Sequence, residues 1–248
     1  MKALILAAGL GTRLMPLTAA TPKALVKVNG TTLLEIAIRN CAAQGFNELI
    51  VNVHHHSDQI RDYLSSHSFP GTSINISDES DLLLDTGGAI LKAKPFLDGY
   101  EPFLVHNVDV ISNTNLHQLY LHHINNQCLA TLSVLDRNTK RYFLFDNNLR
   151  LTGWTDTSTG ETRLSGTPAE YATKLAFSGI HIISPEIFKY INDHGRFSII
   201  DTYLKIGANH LICGYLQPGV TWFDLGKPEQ IEAVSSFLQN QPEFFIKR

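Results

Sequence analysis

The sequence predicts an α/β fold built on a mainly parallel sheet. Continuous apolar runs recur at Ala3–Ala7, Glu48–Val53, Phe103–His106 and Leu129–Leu135, as strands buried on both faces require. Helical patterns lie between them, and strands alternating with helices of roughly 10–15 residues form βαβ units. The composition agrees. Of 248 residues, 44% are hydrophobic and 17% charged, which excludes long disordered or coiled-coil stretches. The net charge of −3 gives no global basic footprint, so no nucleic-acid partner is expected. No apolar run reaches the ~20 residues that a membrane span needs.

Each element follows from a local pattern. Ala3–Ala7 comes straight after Met1-Lys2; it is too short and wrongly flanked for a signal peptide, and reads as a buried first strand. Thr32 through Gln44 carries Leu33, Leu34, Ala37, Ile38 and Cys41 on one helical face, and Gly45 stops it. Ser57 through Ser65 sets Ile60 and Leu64 four apart. Asn113 or Asn115 caps a helix bearing Leu116, Leu119, Tyr120 and His123.

After about residue 135 the rhythm changes. Tyr142–Phe145, Asp146-Asn147-Asn148 and Leu149–Trp154 predict an antiparallel hairpin. The polar stretch Asp156–Glu170 reads as a mobile loop, and Ala176–Ile183 as a strand. Pro185 starts a short helix to Asn192, and Phe197–Ala208 forms another. Leu211–Tyr215 and Thr221–Phe223 are short strands, and Pro228–Leu238 is a closing helix. No Pro/Ser/Gly-rich linker cuts the chain. The expectation is one domain over 1–248, with a nucleotide-binding core at 1–135 and a sugar-phosphate-binding part at 136–248. Cys41, Cys128 and Cys213 are odd in number, far apart and without metal-ligand spacing. A reduced, cytoplasmic protein is the default.

The sharpest feature follows the first strand: Leu6-Ala7-Ala8-Gly9-Leu10-Gly11-Thr12-Arg13-Leu14-Met15-Pro16-Leu17-Thr18, then Thr21-Pro22-Lys23. Glycines and small residues let backbone N–H groups approach an anion closely. Arg13 and Lys23 bring two cations to the same loop, which suits phosphate. Leu14 stands where a dinucleotide fingerprint needs its third glycine, and no Gly-Lys-Ser/Thr makes it a P-loop.

This opening resembles that of the sugar-1-phosphate nucleotidyltransferases, the nucleotide-sugar pyrophosphorylases, in its G-x-G-T-R-x-x-P-L-T motif followed by P-K. The resemblance extends over essentially the whole chain. It is strongest toward short bacterial N-acetylmuramate-1-phosphate uridylyltransferases, with mannose- or heptose-1-phosphate guanylyltransferases as close alternatives. It implies a Rossmann-like three-layer α/β/α fold around a mixed, mostly parallel sheet, without a β-helix tail.

The family places a metal-binding aspartate after a central strand. Asn107-Val108-Asp109 fits that place, with Val108 where a small residue is usual. Trp222-Phe223-Asp224-Leu225-Gly226 resembles the motif of a second aspartate, 115 positions later. The resemblance thus implies Mg²⁺ held by Asp109 and Asp224, and Mg²⁺ is typically bound by one or two carboxylates plus substrate phosphates. The implied substrates are a nucleoside triphosphate and a sugar 1-phosphate, with Arg13 and Lys23 as the catalytic cations. Leu6, Ala8, Gly9, Gly11 and Thr12 would bind the nucleotide.

Leu84-Asp85-Thr86-Gly87-Gly88-Ala89 resembles the family's second nucleotide loop, implicating Gly87 and Gly88; read alone, it is a helix N-terminus with glycines. Phe177-Ser178-Gly179-Ile180 resembles the strand that lines the sugar, implicating Ser178 and Gly179 alongside Asn107; read alone, it is a strand with a glycine kink. The stretch Asp156–Lys174 is expected to cover the sugar. Arg141, Arg163 or Lys174 would bind its phosphate or a carboxylate. The adjacent histidines His54-His55-His56 and His122-His123 do not share a face and are poor chelating pairs. A packing role is expected of His106, which ends a strand. Two other classes stay open: a nucleotide-binding regulatory subunit without turnover, and a dinucleotide-dependent oxidoreductase. Pyrophosphate release separates the first, and nicotinamide-cofactor binding the second.

Overall fold

The computed structural model describes residues 1–166, 172–241 and 244. In chain order the elements are β1 (Lys2–Leu6), the small hairpin β2 (Lys27–Val28) and β3 (Thr31–Thr32), α1 (Leu33–Ala43), β4 (Glu48–Val53), α2 (Ser57–Ser66), β5 (Ser73–Asp78), α3 (Asp85–Lys92), the single turn α4 (Lys94–Leu97), β6 (Phe103–Asn107), β7 (Val110–Ser112) and α5 (Leu116–Asn125). There follow β8 (Ala130–Leu135), β9 (Arg141–Phe145), β10 (Leu151–Asp156), β11 (Glu161–Leu164), β12 (Thr173–Ile183), α6 (Ile199–Ile206), β13 (Ile212–Leu216), β14 (Trp222–Asp224) and α7 (Pro228–Asn240). The architecture is α/β and Rossmann-like. No helix among the described residues is long and apolar enough to cross a membrane.

The chain forms two compact units. The first holds Met1–Leu83, His106–Leu116 and the described residues from Thr221 onward; the second holds Leu84–Val105 and the described residues of His117–Val220.

In the first unit β4 lies between β1 and β5, parallel to both, with Leu4 opposite Ile50 and Ile50 opposite Asn75. Ala3, Leu4 and Ile5 are completely buried, as are Leu33, Leu34, Ile38 and Cys41 of α1. Thr32 caps α1 by accepting a hydrogen bond from the Glu35 amide at 3.1 Å, and Gly45, with φ 88°, ends it. β7 and β14 pair antiparallel, with Asp224 opposite Val110. Just beyond that pair, the Asn113 amide donates to the Thr221 carbonyl at 3.1 Å, and the Thr221 amide donates to Asn113 Oδ1 at 2.8 Å.

In the second unit β12 pairs antiparallel with β8 and β9, β9 with β10 and β10 with β11, while β13 runs parallel to β8. The predicted hairpin is β9–β10. Asp146 Oδ1 accepts from the Asn148 and Arg150 amides at 2.9 and 2.8 Å, which fixes its turn.

The structure corrects several sequence expectations. Part of the expected loop is strand β11: Thr155 and Thr162 face each other, with their hydroxyls 2.9 Å apart. Its polar side chains hid a pairing that depends on backbone bonds. Residues 167–171 of that stretch lie outside the described residues, as do Phe245 and Ile246 of the tail. The helix expected from Phe197 starts at Ile199, because Ser198 caps it by accepting from the Ile200 amide. The turn after Pro185 is a 3-10 helix ending at Lys189. Ser73–Asp78 is a strand that the apolar-run pattern leaves out. The cysteine expectation also fails, since Cys128 and Cys213 form a disulfide and Cys41 alone is free and buried. The parallel pairing of β8 with β13 brings those chain segments together, and an 85-residue separation in sequence conceals it.

Candidate active site

The loop after β1 is held at both ends. At its start, the Ala7 and Ala8 amides donate to Asn52 Oδ1 of β4 at 2.5 and 3.2 Å. Further on, Gly11 adopts a left-handed conformation with φ 65°, and the Thr18 hydroxyl donates to its carbonyl at 2.8 Å. A Cβ on Gly11 would lie 2.9 Å from the Thr18 methyl, so glycine is required twice over. Among the described residues, no intrachain acceptor takes the amides of Gly9 through Thr12. A Cβ on Gly9 would meet nothing within 4 Å, so the loop faces open space there. Leu6, at the end of β1, accepts from the Val108 amide at 3.1 Å, which ties the Asp109 turn to the same strand end. Val108 itself is buried. The strand ends β1 and β4 thus present this loop at the carboxyl edge of a parallel sheet, where such folds bind ligands.

Lys23 and Asp109 form an ion pair through Nζ and Oδ2. Lys23 is buried, and a lysine is rarely so unless it is paired. It sits at the start of a 3-10 turn, Lys23–Leu25, entered from extended Pro22. The β7–β14 pairing then brings in the second aspartate. The Leu225 amide donates to the Asp109 carbonyl at 2.9 Å, so Asp224 stands beside Asp109 although the two are distant in sequence. Arg13 reaches the same region, where a Cβ on Gly226 would come within 2.8 Å of its guanidinium. Four predicted residues, Arg13, Lys23, Asp109 and Asp224, therefore converge within one unit.

No group of three or more His, Cys, Asp or Glu among the described residues could hold a metal ion alone. The donor set of Asp109 and Asp224 nevertheless fits Mg²⁺, a hard cation that takes one or two carboxylates and completes its shell from phosphates and water.

Asn107 ends β6 half-buried, and its carbonyl accepts from His106 Nδ1 at 2.8 Å. His106 is completely buried, and burial pushes its pKa down to about 4, in keeping with the expected packing role.

In the second unit, the backbone amides of Gly87 and Gly88 both point to the Phe197 carbonyl, at 2.9 and 3.4 Å. A Cβ on Gly87 would lie 2.3 Å from the Phe197 ring, and one on Gly88 would lie 2.3 Å from the Gly195 carbonyl oxygen. Packing alone therefore demands both glycines. Ser178 and Gly179 lie in a bulge of β12, since Phe177 pairs with Val134 but His181 with Leu132. Gly179, with φ 81°, makes that bulge possible, and Ser178 Oγ accepts from the Ile180 amide at 3.3 Å. Of the candidate cations, Arg141 is paired with Asp156 and Arg163 with Asp201.

Two other buried histidines serve structure. His123 bonds the Thr131 and Ser184 hydroxyls, both at 2.9 Å, and His181 bonds the Tyr203 hydroxyl at 3.1 Å. Asn52 was missed in the sequence. Its signal was a lone amide inside the apolar run Leu49–Val53.

Residues 2–241 match the nucleotidyl transferase family. The chain belongs to that family. Two relatives are N-acetylmuramate alpha-1-phosphate uridylyltransferases. The one from Caulobacter vibrioides is 32% identical over 239 residues, covering 92% of each chain. The one from Neisseria meningitidis serogroup B is 30% identical over 226 residues, covering 91% of this chain and 93% of its own. A solved UDP-glucose pyrophosphorylase from Acinetobacter baumanii superposes with a TM-score of 0.81, covering 99% of this chain and 96% of its own. At 17% identity that likeness shows a shared fold.

Proposed function

We propose that this nucleotidyltransferase makes a nucleotide sugar and pyrophosphate from a nucleoside triphosphate and a sugar 1-phosphate, with UTP and N-acetylmuramate 1-phosphate as the pair. The observation that carries the reading is the convergence of Arg13, Lys23, Asp109 and Asp224 in one unit. The base and sugar follow the two uridylyltransferase relatives.

The reaction is attack of a sugar-phosphate oxygen on the α-phosphorus, with pyrophosphate leaving. The nucleophile is already anionic at neutral pH, because a phosphate monoester loses its second proton near pH 6. No general base is needed, and the protein contributes positioning and charge neutralisation. The open amides of Gly9–Thr12 bind the triphosphate, with Leu6 and Ala8 lining the base. Arg13 neutralises the departing pyrophosphate. Lys23 leaves Asp109 and bridges the α-phosphate and the incoming sugar phosphate. Asp109 and Asp224 hold Mg²⁺, which when bound supplies Lewis-acid polarisation of the phosphoryl oxygens. Within the first unit Asn107 is assigned to the sugar; within the second, Ser178 and Gly179 are assigned to the sugar and Gly87 and Gly88 to the nucleotide. A lactyl carboxylate on the sugar requires a cation; Arg141 and Arg163 must release Asp156 and Asp201 to serve, whereas Lys174 lies exposed.

The test is a matrix of the four nucleoside triphosphates against N-acetylmuramate, mannose, heptose and glucose 1-phosphates, with pyrophosphate as the readout. Release with UTP and N-acetylmuramate 1-phosphate above all other pairs is the expected result. A preference for GTP with mannose or heptose 1-phosphate would replace it with the guanylyltransferase reading. Binding without any release would leave a regulatory subunit.

A further inference from the structure

Asn52 is out of place by composition. It sits in β4 between Val51 and Val53, in a strand that beyond its exposed first residue, Glu48, is otherwise buried and apolar, where asparagine has poor strand propensity. A buried amide is tolerated only when its polar atoms are bonded. Here they are. Oδ1 accepts from the Ala7 and Ala8 amides, and Nδ2 donates to Glu79 Oε1 at 2.8 Å. Asn52 and Glu79 are both buried, the latter 1% exposed.

The chemistry leaves one arrangement. Backbone amides only donate, so they must face Oδ1. That leaves Nδ2, which only donates, for the Glu79 carboxyl oxygen. Glu79 therefore fixes which way the Asn52 amide points. Glu79 is itself fixed: its amide donates to the Val53 carbonyl at 2.8 Å, and its carbonyl accepts from His54 Nδ1 at 2.6 Å and from the Leu82 amide at 3.1 Å. The carboxylate holds the amide, and the amide holds the first two residues of the loop. With Ala7 and Ala8 turned inward, the following amides face outward. Thr18 fixes Gly11 from the other side.

We infer that Asn52 and Glu79 act as a positioning pair that sets the loop after β1 in its anion-binding shape before ligand arrives. This rests on the proposed triphosphate site. A loop ordered in advance does not have to lose that freedom on binding, so the pair contributes to nucleotide affinity without touching the nucleotide. Neither residue belongs to the ligand-facing set above.

The test exchanges the two functional groups. Asn52→Asp keeps the acceptor for Ala7 and Ala8 but sets a carboxylate against that of Glu79, which disfavours two charges in one place. The double variant Asn52→Asp with Glu79→Gln restores one carboxylate, one amide and the hydrogen bond between them, in reversed order. Two quantities are read: the Kd for UTP by calorimetry, and hydrogen exchange at the Ala7 and Ala8 amides by NMR, with Tm as a control for general damage. Asn52→Asp is expected to weaken UTP binding about tenfold and to speed exchange at both amides. The double variant is expected to recover both. An Asn52→Asp protein with a lower Tm but unchanged Kd and exchange would overturn the inference, as would a double variant no better than the single. If the wild-type protein binds no nucleoside triphosphate, the proposed function falls, while exchange at Ala7 and Ala8 still decides whether the pair orders the loop.

Discussion

Lys23 and Asp109 meet as an ion pair inside the first unit, so the carboxylate proposed to hold a metal is already paired with the chain's own cation. The proposed reaction requires both to change partners when phosphates arrive. Asp109→Asn preserves shape and removes the charge, and Lys23→Met removes the ammonium. Each is expected to reduce pyrophosphate release about 10²–10³-fold, the usual effect of deleting one transition-state charge partner. Turnover near wild type in either variant would remove the role assigned to it.

Gly226 gives Arg13 its room. A Cβ there would press on the guanidinium at 2.8–3.1 Å, and that group can swing away at little cost to the fold. Gly226→Ala is therefore expected to lower kcat/KM about tenfold while Tm stays put, since the loss is one misplaced charge-assisted contact. Unaltered kinetics would show that Arg13 does not act from this position.

Gly88 should behave in the opposite way. Its added Cβ would meet the Gly195 carbonyl oxygen, which is backbone and cannot rotate aside. Gly88→Ala is expected to destabilise the fold by about 1–3 kcal/mol, as overpacking does, with or without nucleotide present. Urea unfolding measures it, and a midpoint equal to wild type would contradict the packing.

Acid should weaken the protein early. Burial pushes His106 and His123 down to about 4 and His181 to about 3. These histidines titrate near 6.5 when unfolded, so between the two values the unfolded chain binds more protons. Stability is complete above about pH 6.5 and is lost as pH falls toward 4. The urea midpoint is expected to fall between pH 7.5 and pH 5, and His181→Leu to make that fall smaller. A midpoint that holds steady would mean these rings take up protons as readily in the fold as in the unfolded chain.

The disulfide is open to a count. Thiol titration of the denatured, unreduced protein is expected to find one thiol per chain, Cys41, and three after reduction. Removing the bridge by Cys213→Ser is expected to cost at most about 4–5 kcal/mol, the chain-entropy limit for so long a loop. Three thiols before reduction would restore the reduced protein that the sequence suggested.

Local features were legible and non-local ones were not. β1 and β4 could be read as continuous apolar runs, and α1 from its own periodicity and its glycine stop. The loop from Gly9 to Lys23 could be singled out as a candidate anion site from residue types alone. Asp224 could be joined to Asp109 only through a family motif, because the pairing that unites them involves three-residue strands too short to show a pattern. Asn52 was visible as an oddity, yet its partners Ala7, Ala8 and Glu79 lie in other elements. Gly87 and Gly88 point the other way: a motif match drew attention to a ligand, and the structure adds a steric demand from Phe197 and Gly195.

The two hydrogen bonds between Asn113 and Thr221 clasp the chain where it leaves the first unit and where it returns. The described residues of 117–220 lie between those two points in the chain. The spacing of Asp109 and Asp224 is thus independent of whatever the excursion contains. Its strands can diverge or lengthen while Asp109 and Asp224 keep their register.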